Sequence, residues 1–183
     1  LKSVIILLSF FMTSCYGSWN IFYEGNNVDY RTPVMAVLND LSDLSGSYNV
    51  LIITDTHFGY KNKEAPLAAL YLWLDSVKGT AAAPAFAICL GEAVDTEAQG
   101  EYEEYLRFCE TLKKLYGIRV VFNTCGNHDI YQSHWGNWQA NCYPHTSFYK
   151  FKTANFSWYS FDTASGTSGK NQLDIMKKDM EAD

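Results

Sequence analysis

NVLIITDTHFG, residues 49–59, is the stretch that decides the fold. Residues 50–53 form an unbroken apolar run, which is typical of a central strand covered on both faces. The run stops at Thr54, and Asp55 and His57 follow it, two residues apart. Side chains at positions i and i+2 of extended backbone point the same way, so this carboxylate and this imidazole can converge on one point. The carboxyl ends of buried strands are also where open α/β sheets build their sites.

Two further apolar runs end in similar polar clusters. Residues 85–90 (AFAICL) are followed by GEAVD at 91–95, and the predicted strand 119–124 is followed by CGNHD at 125–129. Helical patterns separate the three runs, so the order is βαβαβ, which implies parallel strands joined by right-handed crossovers. The three polar clusters are therefore expected along the same edge of one sheet. The predicted fold class is α/β, a mixed sheet with a parallel βαβαβ core.

The connecting segments carry helix signals. A helix rich in Leu, Ala and Trp is predicted over 66–78, with Gly79 at its end. The second helix is amphipathic and ends at Gly117, which suits a left-handed C-cap. Its apolar side chains recur every three or four residues: Tyr102, Tyr105, Phe108, Leu112 and Leu115.

The remaining segments are less periodic. Thr32-Pro33 resembles an N-cap and first helical position, so a short helix is predicted through about Leu41. Residues 130–146 are predicted to form an irregular loop. Two aromatic strands follow, 147–152 and 155–162, and they are expected to form a hairpin. A final helix is predicted from Gln172 to about Ala182.

The first residues resemble an export signal. One lysine precedes an apolar run over 4–12, which is shorter than the roughly 20 residues that a membrane-spanning helix needs. The Met-Thr-Ser-Cys ending resembles a bacterial lipoprotein signal, in which Cys15 carries the lipid, and an ordinary cleaved signal is the alternative. We therefore predict a signal peptide over 1–14, an N-terminal extension over 15–48, and an exported protein. Lipid anchoring in the bacterial cell envelope is the favoured location, with a secreted or periplasmic one as the alternative.

Composition excludes several other classes of protein. The formal net charge of the 183 residues is -6, and no Lys/Arg cluster occurs, which argues against nucleic acid or an anionic membrane surface as a partner. Cys89, Cys109, Cys125 and Cys142 show no CxxC spacing, so neither a structural zinc site nor a thioredoxin-type motif is indicated. For Cys89 and Cys125 we expect the role of small buried hydrophobic residues.

The polar clusters contain the side chains that bind divalent metals. Asp, His and Asn offer oxygen and nitrogen donors, which suit Mn, Fe or Zn. Two such ions about 3.5–4 Å apart are a common means of cleaving phosphate esters, because they activate a water and stabilise charge on the phosphoryl oxygens.

These residues also match a family. DTH at 55–57, GE…D at 91–95 and GNHD at 126–129 resemble the first three motifs of the calcineurin-like metallophosphoesterases. The stretch YSFDT…QLDIMKK resembles the later strand and helix of that family, so the resemblance covers about 49–181. It implies a metallophosphatase-like fold, two divalent metal ions, and a phosphate mono- or diester as substrate.

The resemblance also implies metal ligands. Asp55 and His57 would bind the first ion, Asn127 the second, and Glu92 would bridge both. The family has Asp where this chain has Glu92, and the additional methylene moves the carboxylate by roughly 1 Å, which metal sites tolerate poorly. Glu92 is therefore expected either to bridge after a backbone adjustment or to bind one ion alone. Asp95 is a possible substitute at a different spacing.

Catalytic roles follow from the third motif. The resemblance implies that His128 faces the leaving group and donates it a proton, with Asp129 orienting the imidazole. The family supplies further ligands from later His and Gly-His-x-His motifs, which this sequence does not contain. His134 and His145 are the only other histidines that could replace them.

Three hypotheses remain open from the sequence. The first is a metallophosphoesterase in partial form, with a partial domain over 49–183 and the C-terminal part of the sandwich missing. The second is a catalytically inactive relative that serves as a binding or surface lipoprotein. The third is a site completed by a separate chain.

Overall fold

A computed structural model of the chain describes residues 34–130, 135–166 and 168–182. The predicted signal peptide, Cys15, most of the N-terminal extension, His134 and the Thr32-Pro33 helix start lie outside these residues. The strands are β1 (Ala36–Leu38), β2 (Asn49–Ile53), β3 (Pro84–Cys89), β4 (Val121–Asn123), β5 (Tyr149–Lys152) and β6 (Ser157–Ser160). The helices are α1 (Glu64–Val77), α2 (Gln99–Tyr116), α3 (Trp135–Asn141) and α4 (Gly169–Ala182), with a 3-10 turn at His128–Ile130.

A three-stranded parallel sheet is the centre of the molecule. Its strand order is β2-β3-β4, with α1 and α2 as the crossovers. Leu51 lies opposite Ala87, and Ala87 lies opposite Val121, so the apolar runs are in register. The predicted βαβαβ core with its common carboxyl edge is confirmed.

The two faces of this sheet are covered by different layers. On β3, Ala87 and Cys89 pack toward the helices, whereas Phe86 and Ile88 pack toward a second sheet, as the two-residue period of a strand requires. The helix-side core also contains the other three cysteines of the described chain, and all four thiols are buried and free. The prediction that Cys89 and Cys125 are small buried residues is confirmed.

The second sheet is mixed and has the order β1-β5-β6. β5 and β6 form the predicted antiparallel hairpin, with a bend at 154–155. The helix predicted through Leu41 is wrong for the described residues, because Ala36–Leu38 instead pairs in parallel with β5. Tertiary pairing has overridden the local helix signal here.

The longest helix follows its predicted pattern. Tyr102, Tyr105, Phe108 and Leu112 are buried, and Gly117 has a φ of +73°, which a glycine adopts without a Cβ clash. Leu115 differs from the prediction, since it is 54% exposed. Within the described residues, no helix combines the length and apolar character that a membrane crossing would need.

A short helix replaces part of the predicted irregular loop. α3 places Trp138 in the core at 0% exposure, and Trp135 stacks on it with ring centroids 5.0 Å apart. The two tryptophans are three residues apart, which is the helical spacing that could have indicated this element.

α4 is held to the mixed sheet by a partly buried ion pair. Lys150 on β5 is 7% exposed, and its Nζ lies 2.6 Å from Asp179 Oδ2. The Tyr159 hydroxyl donates to the same carboxylate at 2.7 Å. The Lys150 ammonium lowers the pKa of Asp179 from its ordinary value.

Replacing Asp179 with Ala is expected to lower the free energy of unfolding at pH 7 by about 2 kcal/mol, because a hydrogen-bonded charge pair at a buried lysine is lost. The folded pKa of Asp179 lies below the unfolded one, so this contribution is present at neutral pH and is lost as pH falls below about 4. Urea unfolding at pH 7 and pH 3 measures it. Asp174→Ala, at an exposed position of the same helix, is the control, and an equal effect of both substitutions would contradict the role of the pair.

Candidate metal centre

The three loops that follow the parallel strands are joined by backbone hydrogen bonds. The Asp55 N–H donates to the Gly91 carbonyl at 3.2 Å, and the His57 N–H donates to the Glu92 carbonyl at 3.0 Å. Phe58 and Val94 continue this contact as a parallel bridge. The loops after β2 and β3 are thus fixed relative to one another, which sets the positions of their side chains.

Three of the predicted ligands in these loops have strained backbones, and Glu97 in the loop after β3 also has a positive φ. Asp55, His57 and Glu92 have φ values of +54°, +42° and +54°, in the left-handed region that residues with a Cβ rarely adopt. Such strain persists only where the surroundings impose it, and it concentrates at functional sites. These three are among the residues that the sequence predicts as metal ligands.

His57, Glu92 and His128 converge at the carboxyl edge of the sheet. One ligand atom from each lies within 4.8 Å of the other two. His57 Nε2 is 2.8 Å from Glu92 Oε2, and the two imidazole rings meet edge to face with centroids 4.8 Å apart. Each of the three loops therefore contributes one nitrogen or oxygen donor to this His57–Glu92–His128 cluster.

Asp95 holds both histidines of the cluster. His57 Nδ1 lies 3.2 Å from Asp95 Oδ1, and His128 Nδ1 lies 2.8 Å from the Asp95 backbone carbonyl oxygen. Sequence reasoning considered Asp95 only as a substitute ligand and missed this role. The signal was present in the sequence, because Asp95 ends the GEAVD segment that follows β3.

Asp129 occupies a different position from the one that the resemblance implies. Its carboxylate is buried and accepts hydrogen bonds from the backbone N–H groups of Glu92 at 3.0 Å, Val94 at 3.1 Å and Gly126 at 2.8 Å. Burial raises its pKa to about 6, against the opposing effect of these N–H donors. The predicted contact between Asp129 and the His128 imidazole is therefore replaced by a different one. The Asp95 carbonyl oxygen accepts from His128 Nδ1, and Asp129 instead joins the loops after β3 and β4.

The other two predicted ligands lie at the edge of the cluster. The Asp55 side chain is 59% exposed, and its Oδ1 is 4.0 Å from His57 Nε2. A hydrogen bond from the Thr54 hydroxyl lowers the pKa of Asp55, with smaller contributions in the same direction from Glu92 and the two histidines. Asn127 follows directly after Gly126 and is exposed.

His145 lies away from the cluster. It is exposed, and its Nδ1 lies 2.7 Å from the Gln139 carbonyl oxygen. Among the described residues, the His57–Glu92–His128 cluster does not include His145. His145 is thus not placed to supply a missing ligand.

A pocket of about 420 Å³ opens beside Asp55 and His57. Pro66 and Leu67 of α1 line its other side. Lys63 also lines it, and its Nζ lies 3.0 Å from a Glu104 carboxylate oxygen. This volume is within the range of small-molecule sites.

Gly126 is required by the close approach of two loops. A Cβ at this position would lie 2.4 Å from Glu92 N and 2.6 Å from Glu92 Cγ. We expect Gly126→Ala to lower the free energy of unfolding by about 3 kcal/mol, because the clash forces the loops after β3 and β4 apart. Thermal unfolding measures the effect. Gly100→Ala in α2, where a Cβ meets nothing within 4 Å, is the matched control, and comparable stability of the two variants would argue against this packing.

The cluster has the chemistry of a divalent metal site. Two imidazoles and a carboxylate are a donor set that binds Zn or Fe, and each imidazole has an acceptor on its other ring nitrogen, as metal-binding histidines usually do. The residues present therefore fit a divalent ion.

Comparison with known families agrees with this fold. The family model described as calcineurin-like phosphoesterase matches residues 48–178, which include the three loops and both sheets except β1. The chain belongs to the calcineurin-like phosphoesterase family. A search of curated proteins finds no significant match.

Proposed function

We propose that this protein hydrolyses a phosphate ester, a monoester or a diester, with a water activated at a divalent metal centre. The observation that carries the proposal is the convergence of His57, Glu92 and His128 from three strand ends. Membership of a phosphoesterase family supports the reaction class.

The charges of the site support a metal-dependent reaction. Three carboxylates, Asp55, Glu92 and Asp95, surround the two histidines, and an anionic phosphate ester would be repelled by them. Lys63, which lines the adjoining pocket, is paired with Glu104. A bound divalent ion reverses the local sign of charge, lowers the pKa of a water and stabilises the phosphoryl oxygens.

The chain's own residues hold the imidazoles and the surrounding loops in position. Asp95 fixes both imidazoles through their Nδ1 atoms, so in a neutral imidazole the lone pair lies on Nε2. Asp129 fixes the loops that hold Glu92 and His128. The pocket beside Asp55 offers room for the ester group of a small substrate.

The test is hydrolysis by the purified full chain loaded with Mn²⁺ or Zn²⁺, measured on p-nitrophenyl phosphate and on its bis-ester. We expect turnover that a chelator abolishes and that added metal restores. Folded, metal-loaded protein without turnover on either ester would instead support the non-catalytic alternative, a binding protein built on the same fold.

A further inference from the structure

We propose that the pocket beside Asp55 and His57 binds the organic group of the phosphate ester, and that this group is apolar, such as an aromatic ring or a short alkyl chain. The proposal rests on the phosphoesterase function and names the class of substrate for that same site. Phosphate esters of glycerol, sugars and nucleosides are then expected to be poor substrates.

The pocket adjoins the His57–Glu92–His128 cluster on the side of β2. Asp55 and His57 line it, and His57 also belongs to the cluster. An ester whose phosphoryl group is bound at the cluster therefore has this pocket as the adjacent space for its organic group. An apolar cavity of about 150 Å³ already binds benzene, so a pocket of about 420 Å³ admits an aromatic ring or a chain of several methylene groups.

Most of the pocket surface is apolar. Ile52 and Ile53 of β2 line it, together with Pro66, Leu67 and Leu70 of α1. Ile52 is 59% exposed, and Leu67 and Leu70 are half-buried, so this wall leaves apolar surface open to solvent. An apolar group that covers the wall removes this surface from water, which is worth about fourfold in affinity for each buried methylene.

The pocket offers little to a charged or hydroxylated organic group. Lys63 is the one cationic side chain among the described residues that line it, and its Nζ lies 3.0 Å from a Glu104 carboxylate oxygen. A second phosphate or a carboxylate on the substrate would therefore find no unpaired lysine or arginine among these residues. The Thr56 hydroxyl already donates to the Ala93 carbonyl at 3.0 Å, which leaves it less able to bind a sugar hydroxyl.

Hydrogen bonds and an ion pair hold the wall in place without a ligand. The Tyr60 N–H donates to the His57 carbonyl at 2.9 Å, which ties the pocket residue Tyr60 to the cluster. The Lys63–Glu104 pair joins the following residues to α2. The Leu67 N–H donates to the Lys63 carbonyl at 3.1 Å and continues this support into α1. A wall that is already ordered loses little conformational entropy on binding, which favours selectivity for a small apolar group.

Alkyl phosphates of similar intrinsic reactivity test the pocket. Ethyl phosphate and hexyl phosphate release alcohols of nearly equal acidity, so a difference in kcat/KM reports binding of the longer chain. With the metal-loaded full chain, kcat/KM for hexyl phosphate is expected to exceed that for ethyl phosphate by at least about 10-fold. A smaller ratio, or a higher kcat/KM for glycerol phosphate than for hexyl phosphate, would overturn the proposal.

Leu70→Gln tests whether the preference arises at the pocket wall. Glutamine favours helices as leucine does, but its amide makes the wall polar. The ratio of kcat/KM for hexyl over ethyl phosphate is therefore expected to fall by at least about fivefold.

Leu72→Gln is the matched control for this substitution. Leu72 is 71% exposed on the same helix and lies outside the pocket lining, so the ratio should stay within about twofold of wild type. Far-ultraviolet circular dichroism checks that both variants are folded. A folded Leu70→Gln protein with the wild-type ratio would exclude this wall as the source of the preference.

Binding of alkyl phosphonates separates the pocket from catalysis. Phosphonates carry carbon in place of the ester oxygen and are not hydrolysed, so calorimetry on the metal-loaded wild-type chain measures binding alone and needs no variant to fold. Hexylphosphonate is expected to bind at least about 10-fold more tightly than ethylphosphonate. That preference without hydrolysis of any ester would keep the apolar pocket and reject the phosphoesterase function. Ester hydrolysis without that preference would do the reverse.

Discussion

Replacing His57 with Ala is expected to lower kcat/KM for phosphate-ester hydrolysis by about 10³-fold, which corresponds to about 4 kcal/mol of transition-state stabilisation. The imidazole Nε2 lies 2.8 Å from Glu92 Oε2. Its removal also leaves Asp55, Glu92 and Asp95 as an uncompensated group of carboxylates that repels the anionic substrate. Initial rates on p-nitrophenyl phosphate at saturating metal provide the measurement.

His145→Ala is the matched control for this substitution. It removes the same type of side chain from an exposed position, where the imidazole Nδ1 contacts the Gln139 carbonyl oxygen. Its rate should stay within about twofold of wild type, as for most surface changes away from a site. A His57→Ala protein that keeps a tenth or more of the wild-type rate would remove this histidine from the reaction.

Asp129→Ala is expected to have the largest effect on stability, a loss of about 4 kcal/mol in the free energy of unfolding. The carboxylate is fully buried and accepts three backbone N–H groups, and each buried donor left without an acceptor costs about 1–3 kcal/mol. Such a loss is a large part of the 5–15 kcal/mol that stabilises a typical domain. Chemical denaturation followed by circular dichroism measures it.

Asp129→Asn separates the hydrogen bonds from the shape of the side chain. The amide keeps one acceptor oxygen and turns a donor toward the remaining N–H groups, so an intermediate loss of stability is expected. Asp174→Ala, at an exposed position of α4, should change stability by less than about 0.5 kcal/mol. If the two alanine variants unfold at the same denaturant concentration, Asp129 does not tie the loops together.

Much of the parallel core was predictable because its signals are local. The apolar runs of β2 and β3 are bounded by polar motifs, and βαβ connections allow one handedness, so the three loops had to share an edge. His57 and Glu92 were predicted as metal ligands from these motifs, and in the structure His57 Nε2 lies 2.8 Å from Glu92 Oε2. The end of α2 followed from Gly117, and most of its buried face followed from its apolar period.

The features that were missed depend on distant partners. β1 forms because Ala36–Leu38 finds β5 more than a hundred residues later, and no local pattern encodes that pairing. The role of Asp129 depends on N–H groups of Glu92 and Val94, which approach only after the loops pack. The resemblance alone would have assigned that carboxylate to His128.

Because a single residue contacts both imidazoles, the two rings are held in a defined relative orientation before any ligand binds. Asp95 uses its carboxylate for His57 and its own carbonyl for His128, so a shift of this one residue would carry both rings together. The distance between the His57 and His128 rings should therefore change little when the loop that carries Asp95 moves slightly. Less conformational entropy remains to be lost when a ligand binds between them, which favours affinity without any additional contact.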